Sequence, residues 1–480
     1  MRLQKNSIGK YILLLIPFLL GSIGLCVFDA QPVIESLFQS MEMYFLNYSD
    51  APPNLLVELA RWLAPLATAS GVLLTIDKVR ALFLHKLQYY CGDSVAVYGD
   101  ERHRKEVVRG LGRKGIDAGD DWNWIKADKY LLLGKEEETL GFYCQHREKF
   151  KEHIVYMQSC NLTSQNLKNP ELRLFCPEET AARLYWKQRC LYEVSYENDH
   201  HFKIVLLGFS CMGEKLLEYA LQYNIFNPGQ RIEYHVFGNG KEFQALHREL
   251  HQINDPVVFH KECWYENYKI LEEAKRILVL PQDGQLRIVE KLLSATTEIE
   301  FDVLVDNDSG FDLLAERERL HLFYWEKEAW NLENIFDEAM FEHAKKLNLH
   351  YAYLYSGTEE NLENMELEWK KLDSFTRYSN VSAADYHEIR VHMMRVLGWN
   401  SKVEQLSQEQ LEMLTELEHI RWSRYHQIHN WHHGIPQNGK NKDVVHRIHK
   451  DLIPYCDLEE SEKEKDRDNI RMLQKLFDYS

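Results

Sequence analysis

The 480-residue chain has no C-x-x-C pair among its nine cysteines, at 26, 91, 144, 160, 176, 190, 211, 263 and 456. Such scattered thiols argue against a disulfide framework and fit reduced, mostly buried side chains. An excess of basic charge is also missing. Lys and Arg number 57 against 74 Asp and Glu, a formal net charge of −17. Nucleic acid is therefore not expected as a partner, because binding phosphate backbones requires a concentrated basic surface. No Walker lysine, catalytic triad or metal-ligand cluster stands at recognisable spacing, so a nucleotide hydrolase or dehydrogenase has no motif to rest on. What the chain does have is 45 % hydrophobic and 12 % aromatic residues, enough for real cores. Its length allows about three domains of roughly 150 residues each.

Tyr11 to Phe28 is a stretch of 18 residues without a charged side chain, and Arg2, Lys5 and Lys10 precede it. As a helix it spans roughly 27 Å. A signal peptide is the rival reading, but no A-x-A-like cleavage site follows, and Leu25 before Cys26 is a poor lipoprotein signal. A second apolar stretch runs over Trp62–Ile76, extended upstream by Leu55–Ala60 and interrupted by Glu58 and Arg61. No Lys or Arg lies between Asp29 and Ala60, whereas Lys78, Arg80 and Lys86 follow. That asymmetry predicts a transmembrane helical hairpin over 1–90 with both ends cytoplasmic in the cell membrane. A single anchor plus an interfacial helix is the alternative. Ile34–Tyr48 reads as a short amphipathic helix in the loop.

Two α/β units follow. In the first, over 91–196, strands are predicted at Ser94–Tyr98, Tyr130–Leu133 and His153–Met157, separated by helical segments. Its turn after Gly99 has no second glycine in register, so a Rossmann shell without nucleotide is expected. In the second, over 197–345, Lys203–Leu207 reads as a buried strand that ends in the turn Gly208-Phe-Ser-Cys-Met-Gly213 and leads into a helix. Further strands are predicted at Ile232–Phe237, Val257–His260, Ile277–Leu280, Phe301–Val305 and Leu320–Tyr324. In such a turn, backbone N–H groups and the helix N-terminus point at a phosphate. Gly208, Ser210 and Gly213 are the candidate phosphate residues, and Asn239 stands where relatives place a ribose-binding acid. Ser210 in place of the middle glycine favours a small or mononucleotide phosphate over NAD, and a purely structural helix entry is the alternative. Asp306-Asn-Asp-Ser-Gly310 has the look of a calcium loop but lacks the acid at position 12, so a post-strand turn is expected.

Phe202 to Trp325 resembles the TrkA-N or RCK class of Rossmann domains that regulate bacterial ion transport. A two-helix membrane unit bearing such modules also resembles ligand-gated potassium channels, although no TVGYG-like filter is present.

Beyond a predicted linker helix at Trp330–Leu347, the segment 346–480 holds Glu418-x-x-Arg421-Trp422, Trp431-x-x-Gly434, His449-x-Asp-Leu-x-Pro454-Tyr455-x-x-Leu458 and Lys463-x-Lys465-Asp466-Arg467 within its C-terminal part. These residues resemble the RyR domain, the repeat of ryanodine receptors that also occurs in bacterial proteins. The resemblance implies a mainly α domain that recognises a ligand or a protein and catalyses nothing, with nucleotide-derived signals among the candidates. Trp422, Trp431 and Tyr455 are the expected aromatic wall, Arg421 and Lys465 the expected anion contacts, and His449 a further lining residue. The alternative is a packed helical core in which Arg421 pairs with Glu418 or Asp466. His426, His429, His432 and His433 read as a solvated helix end in preference to a zinc site.

These expectations combine into a membrane-anchored, homo-oligomeric sensor of a small, nucleotide-type molecule, with no resident metal and no certain cofactor. An ion channel or ion-transport regulator is the alternative, and a nucleotide-processing enzyme the third.

Overall fold

The computed structural model describes residues 15–476 apart from 49, 161–171, 297–298, 307–309, 312–318, 337–338, 401 and 438, with the backbone alone over 70–83, 339 and 473–476. The chain forms two compact units, Met1–Ser94 with Trp124–Asp128, and Val95–Asn123 with Lys129–Ser480. The centre of the calcium-loop-like run, residues 307–309, lies outside the described residues, as does the start of the first predicted membrane stretch.

In the N-terminal unit, a helix over 15–23 runs into a π-helical turn at Gly24–Phe28. Helices Val33–Glu42 and Leu55–Tyr90 follow. Asn54 caps the long helix by accepting from the N–H groups of Leu56 and Val57, and its amide donates to the Gly24 carbonyl at 2.8 Å. The contacts are close because the interior residues are small. A Cβ on Gly21 would lie 2.9 Å from Ser40 Oγ, and one on Gly24 would lie 2.7 Å from Val57 Cγ2. Ser36, Ser40, Ala60 and Ala64 are buried, while Ile34, Phe38, Phe45, Leu55, Trp62 and Leu66 are exposed. Among the described residues no helix is long and apolar enough to cross a membrane.

In the larger unit, strands β1 (Val95–Gly99), β2 (Gly115–Gly119), β3 (Lys129–Leu133), β4 (Ile154–Gln158) and β5 (Leu172–Phe175) form one sheet in the order β2-β1-β3-β4-β5. All its pairings are parallel. The sequence shows β1, β3 and β4 as apolar runs. β2 (GIDAG) and β5 (LRLF) escape the periodicity, one for its two glycines and the other for its length. Gly99 adopts φ +102°, and a Cβ there would sit 1.5 Å from the Leu133 carbonyl oxygen. Only glycine allows β1 and β3 to approach in that way.

The second sheet contains β6 (His201–Leu207), β7 (Arg231–Phe237), β8 (Val257–His260), β9 (Ala274–Val279), β10 (Glu300–Val305) and β11 (Leu320–Tyr324). Its order is β11-β10-β9-β6-β7-β8, the doubly wound arrangement with a switch point beside β6. The chain therefore has an α/β fold with two parallel, Rossmann-like sheets. Helix Trp325–Ala329 follows β11 and reaches back to the first sheet, where Glu326 accepts from Arg102 at 2.8 Å. Trp330 stacks on His103 at 4.2 Å, so side chains occupy the space outside the glycine-poor turn of β1.

The predicted linker helix Trp330–Leu347 is not continuous. Short helices Leu332–Phe336 and Ala339–Phe341 precede the helix Glu342–Ser356. Helices Leu362–Lys371, Ser374–Val396, Gln408–Ile428 and Glu460–Leu476 complete a bundle with a small sheet of β12 (His432–His433), β13 (Lys442–Asp443) and β14 (Ile448–His449). A capping box of Ser407 and Gln410 starts the helix Gln408–Ile428. The bundle has small apolar clusters of its own, around Trp369 with Ala344 and Val381 and around Leu347 with Ala383, and it shares a larger core with the second sheet's layer. Tyr386, Ile389, Leu414 and Leu417 join one apolar cluster with Leu216, Leu217 and Ala220 of the helix Cys211–Tyr223. Buried Arg424 reinforces the junction by donating to Asp255 at 2.6 Å and to the Leu221 carbonyl at 3.1 Å.

Candidate functional site

The strongest candidate site is a cleft of ≈ 250 Å³ between the helices Gln408–Ile428 and Glu460–Leu476 and strand β14. Trp422, His449 and Lys465, all predicted from sequence, line it. The structure adds His419, Asp451 and Asp466. Trp422 forms the aromatic side, with the His449 ring edge-on at 4.9 Å and His419 roughly parallel at 5.7 Å. The Asp451 N–H donates to His449 Nδ1 at 3.2 Å, which leaves Nε2–H as the donor of that neutral ring. His419 places Nε2 2.8 Å from the Ile453 carbonyl.

Charge is layered across this cleft. The side chains of Asp451 and Asp466 are only 12 % and 20 % exposed, against 46 % for Lys465. Burial pushes both aspartates above the ordinary carboxyl range, with Glu462 adding to it for Asp451. Burial, then Lys442, lowers His449 to about 4, and Lys450 and Lys465 act in the same direction. Carboxyls thus lie deep and ammonium groups lie outward around one indole.

Arg421, Trp431 and Tyr455 do not line the cleft. Arg421 is buried and donates to Glu418 through Nε at 3.0 Å and Nη2 at 2.7 Å, and through Nη1 to Ser382 Oγ at 3.1 Å. That is the packed alternative and not an anion contact. Trp431 is buried against Phe375 at 5.3 Å, and the Tyr455 hydroxyl donates to Glu412 at 2.7 Å. The predicted solvated histidine end holds for His433, which is exposed, and fails for two of its other members. His426 is buried beside Trp422 at 4.2 Å, and His429 packs on Tyr425 at 4.5 Å. Burial lowers His429 to about 4 and His426 well below its ordinary value. Burial thus favours the neutral form of both rings.

The four residues assigned to the Rossmann turn separate as well. Gly208 has φ +99°, and the Gln282 amide closes over it, 2.8 Å from where a Cβ would stand. A Cβ on Gly213 would lie 3.0 Å from both Leu280 and Phe209, so this glycine serves helix-to-strand packing. Ser210 is the N-cap residue, with its side chain making no capping hydrogen bond. Phe209 turns its ring onto Phe243 and Phe259 at 5.5 and 5.1 Å, filling the space beside the turn with aromatic side chains. Asn239 lines a separate, open cleft of ≈ 580 Å³ at the ends of β7 and β8, with Lys241, Lys261, Trp264 and Tyr265. A large residue at Gly213 therefore disrupts a core shared with the C-terminal bundle, and it cannot remove a phosphate contact in isolation.

No protein-family model matches the chain, and no curated protein matches it. Among solved structures, a glycerate dehydrogenase related protein from Thermoplasma acidophilum shares 10 % identity over 51 % of this chain and 99 % of its own, with a TM-score of 0.19. The apo D-lactate dehydrogenase from Escherichia coli shares 12 % over 55 % of this chain and 98 % of its own, with a TM-score of 0.21.

Proposed function

We propose that this chain is a membrane-associated receptor that holds a nucleotide-type small molecule in the Trp422–His449 cleft and releases it unchanged. The observation that carries this reading is the layering of the cleft. A nucleobase stacks on the Trp422 indole, and its N–H groups donate to Asp451 and Asp466. The attached phosphate then meets Lys465, drawing it from Glu462, its 2.6 Å partner on the cleft wall, with the charges of Lys442 and Lys450 nearby. The likeness of Glu418–Arg467 to RyR domains supports the same assignment, with Trp422, His449 and Lys465 as its ligand residues and Arg421 as a framework residue.

The test is mass spectrometry of small molecules released from the full-length protein purified in detergent. The wild-type chain is expected to yield a base-containing phosphate compound of unaltered mass. Trp422→Ala is expected to lower its affinity roughly 5- to 150-fold, equivalent to the loss of one base stack of about 1–3 kcal/mol. Full retention by a folded Trp422→Ala protein removes the cleft from consideration.

Membrane association rests on the apolar exterior of the N-terminal unit: Ile34, Phe38, Phe45 and Trp62 are exposed, around an interior in which Gly21, Ser40 and Ala60 pack closely beside Leu25, Met43 and Val57. Small interior residues and a greasy exterior suit a lipid surroundings, where helices associate by close packing. Deleting residues 1–90 is expected to move the protein from the membrane pellet to the supernatant. Continued pelleting of a monodisperse, folded fragment with vesicles rejects the assignment.

A further inference from the structure

Three cysteines far apart in sequence meet at one point in the larger unit. Cys160 follows β4, Cys176 follows β5 and opens the helix Pro177–Gln188, and Cys211 is the first residue of the helix Cys211–Tyr223. Glu178 joins them from the first turn of its helix. One potential ligand atom from each of these four residues lies within 4.8 Å of all the others. Cys160 Sγ is 3.6 Å from Cys176 Sγ and 3.0 Å from Glu178 Oε2, and Cys176 Sγ is 3.4 Å from the same oxygen. In a tetrahedral zinc site with Zn–S bonds of about 2.3 Å, sulfur atoms stand about 3.8 Å apart.

We propose that Cys160, Cys176, Cys211 and Glu178 bind one zinc ion as a closed structural site. Three thiolates and one carboxylate fill a tetrahedral shell, which leaves no open position for a reacting water. Soft sulfur ligands select a thiophilic ion such as zinc over magnesium or calcium. Two helices, Pro177–Gln188 and Cys211–Tyr223, begin at the cluster, and their N-termini favour negative charge there. The ion takes the place that a phosphate holds at the corresponding turn of a nucleotide-binding Rossmann unit. It also ties the edge of the first sheet to the leading helix of the second. The other group of possible ligands, Cys190, Glu193 and His392, has only three members, and two of them already form an exposed pair at 2.5 Å.

The test uses the full-length protein purified in detergent without chelator from zinc-supplemented cells. Elemental analysis is expected to give about one zinc per chain. Cys211→Ser and Glu178→Gln are expected to lower that content severalfold, whereas Cys144→Ser and Cys263→Ser, exposed elsewhere, are expected to keep it. Because a cysteine variant can fail to fold, a second measurement exchanges the ion for cobalt in the wild-type chain. Intense thiolate-to-cobalt charge-transfer absorption, lost on adding zinc, is the expected signature of a tetrahedral sulfur site. Protein without stoichiometric zinc, cobalt bound with no sulfur charge transfer, or a Cys160–Cys176 disulfide in the non-reduced digest each overturns the proposal.

Discussion

Glu418→Gln is expected to destabilise the larger unit by about 3–5 kcal/mol, read as a lowered urea midpoint with loss of bundle helicity. Glu418 is 1 % exposed and stands between two buried guanidinium groups. Its Oε1 accepts from Arg421 Nε at 3.0 Å, Arg421 Nη2 at 2.7 Å and Asn469 Nδ2 at 3.0 Å. Its Oε2 accepts from Arg390 Nη1 at 3.0 Å. The amide has nearly the same shape, so the loss comes from charge and not from a cavity. Arg390 and Arg421 would then lose the carboxylate that both bond, with only the Asp466 charge left near Arg421, and a poorly compensated buried charge costs far more than an exposed pair ever contributes. A midpoint within error of wild type would show that this cluster does not hold the bundle together.

The second large effect is expected at Asp385, which joins three helices. Its Oδ2 accepts from Arg183 Nε and from the Tyr223 hydroxyl, both at 2.6 Å, and Lys187 Nζ lies 3.6 Å from Oδ1. Arg183 also donates to the Met340 carbonyl at 2.9 Å. Burial alone raises the Asp385 carboxyl, but Arg183 and Lys187 outweigh it and hold the carboxyl below its ordinary range. Asp385→Asn leaves Arg183 charged, buried and unmatched, for an expected loss of about 3–5 kcal/mol. The double variant Arg183→Met with Asp385→Leu is expected to recover most of that loss, since it removes the desolvation cost of both ions. Equal stability of the single and double variants would mean that the Arg183–Asp385 pairing contributes nothing beyond packing.

Both clusters bear on the candidate site. The Glu418–Arg421 pair sets the helix Gln408–Ile428 on which Trp422 is carried, and Asp385 anchors the helix Ser374–Val396 behind it. Arg421 thus acts on recognition by fixing the position of its neighbour in the chain. That division of labour separates two adjacent residues of one motif, the first turned into the core and the second partly open to the cleft.

The amino-acid sequence by itself determined where β6, β7, β9 and β10 of the second sheet lie, because each is a short, mostly buried apolar run closed by a turn. Of the six ligand residues that the RyR resemblance implied, Trp422, His449 and Lys465 line one cleft, and Arg421, Trp431 and Tyr455 do not. The sequence left β2 and β5 unmarked, since two glycines or a four-residue length give no period to read. Only the tertiary structure decided which polar groups meet. Asp451 and Asp466 enter the cleft, Arg421 leaves it, and cysteines 160, 176 and 211 converge, because strand order and helix packing bring together residues that no spacing in the chain connects. Periodicity records which face of an element is buried, a local property. The partner of a buried charge or thiol is a property of the whole topology, and it becomes visible only when the sheets and the bundle are assembled.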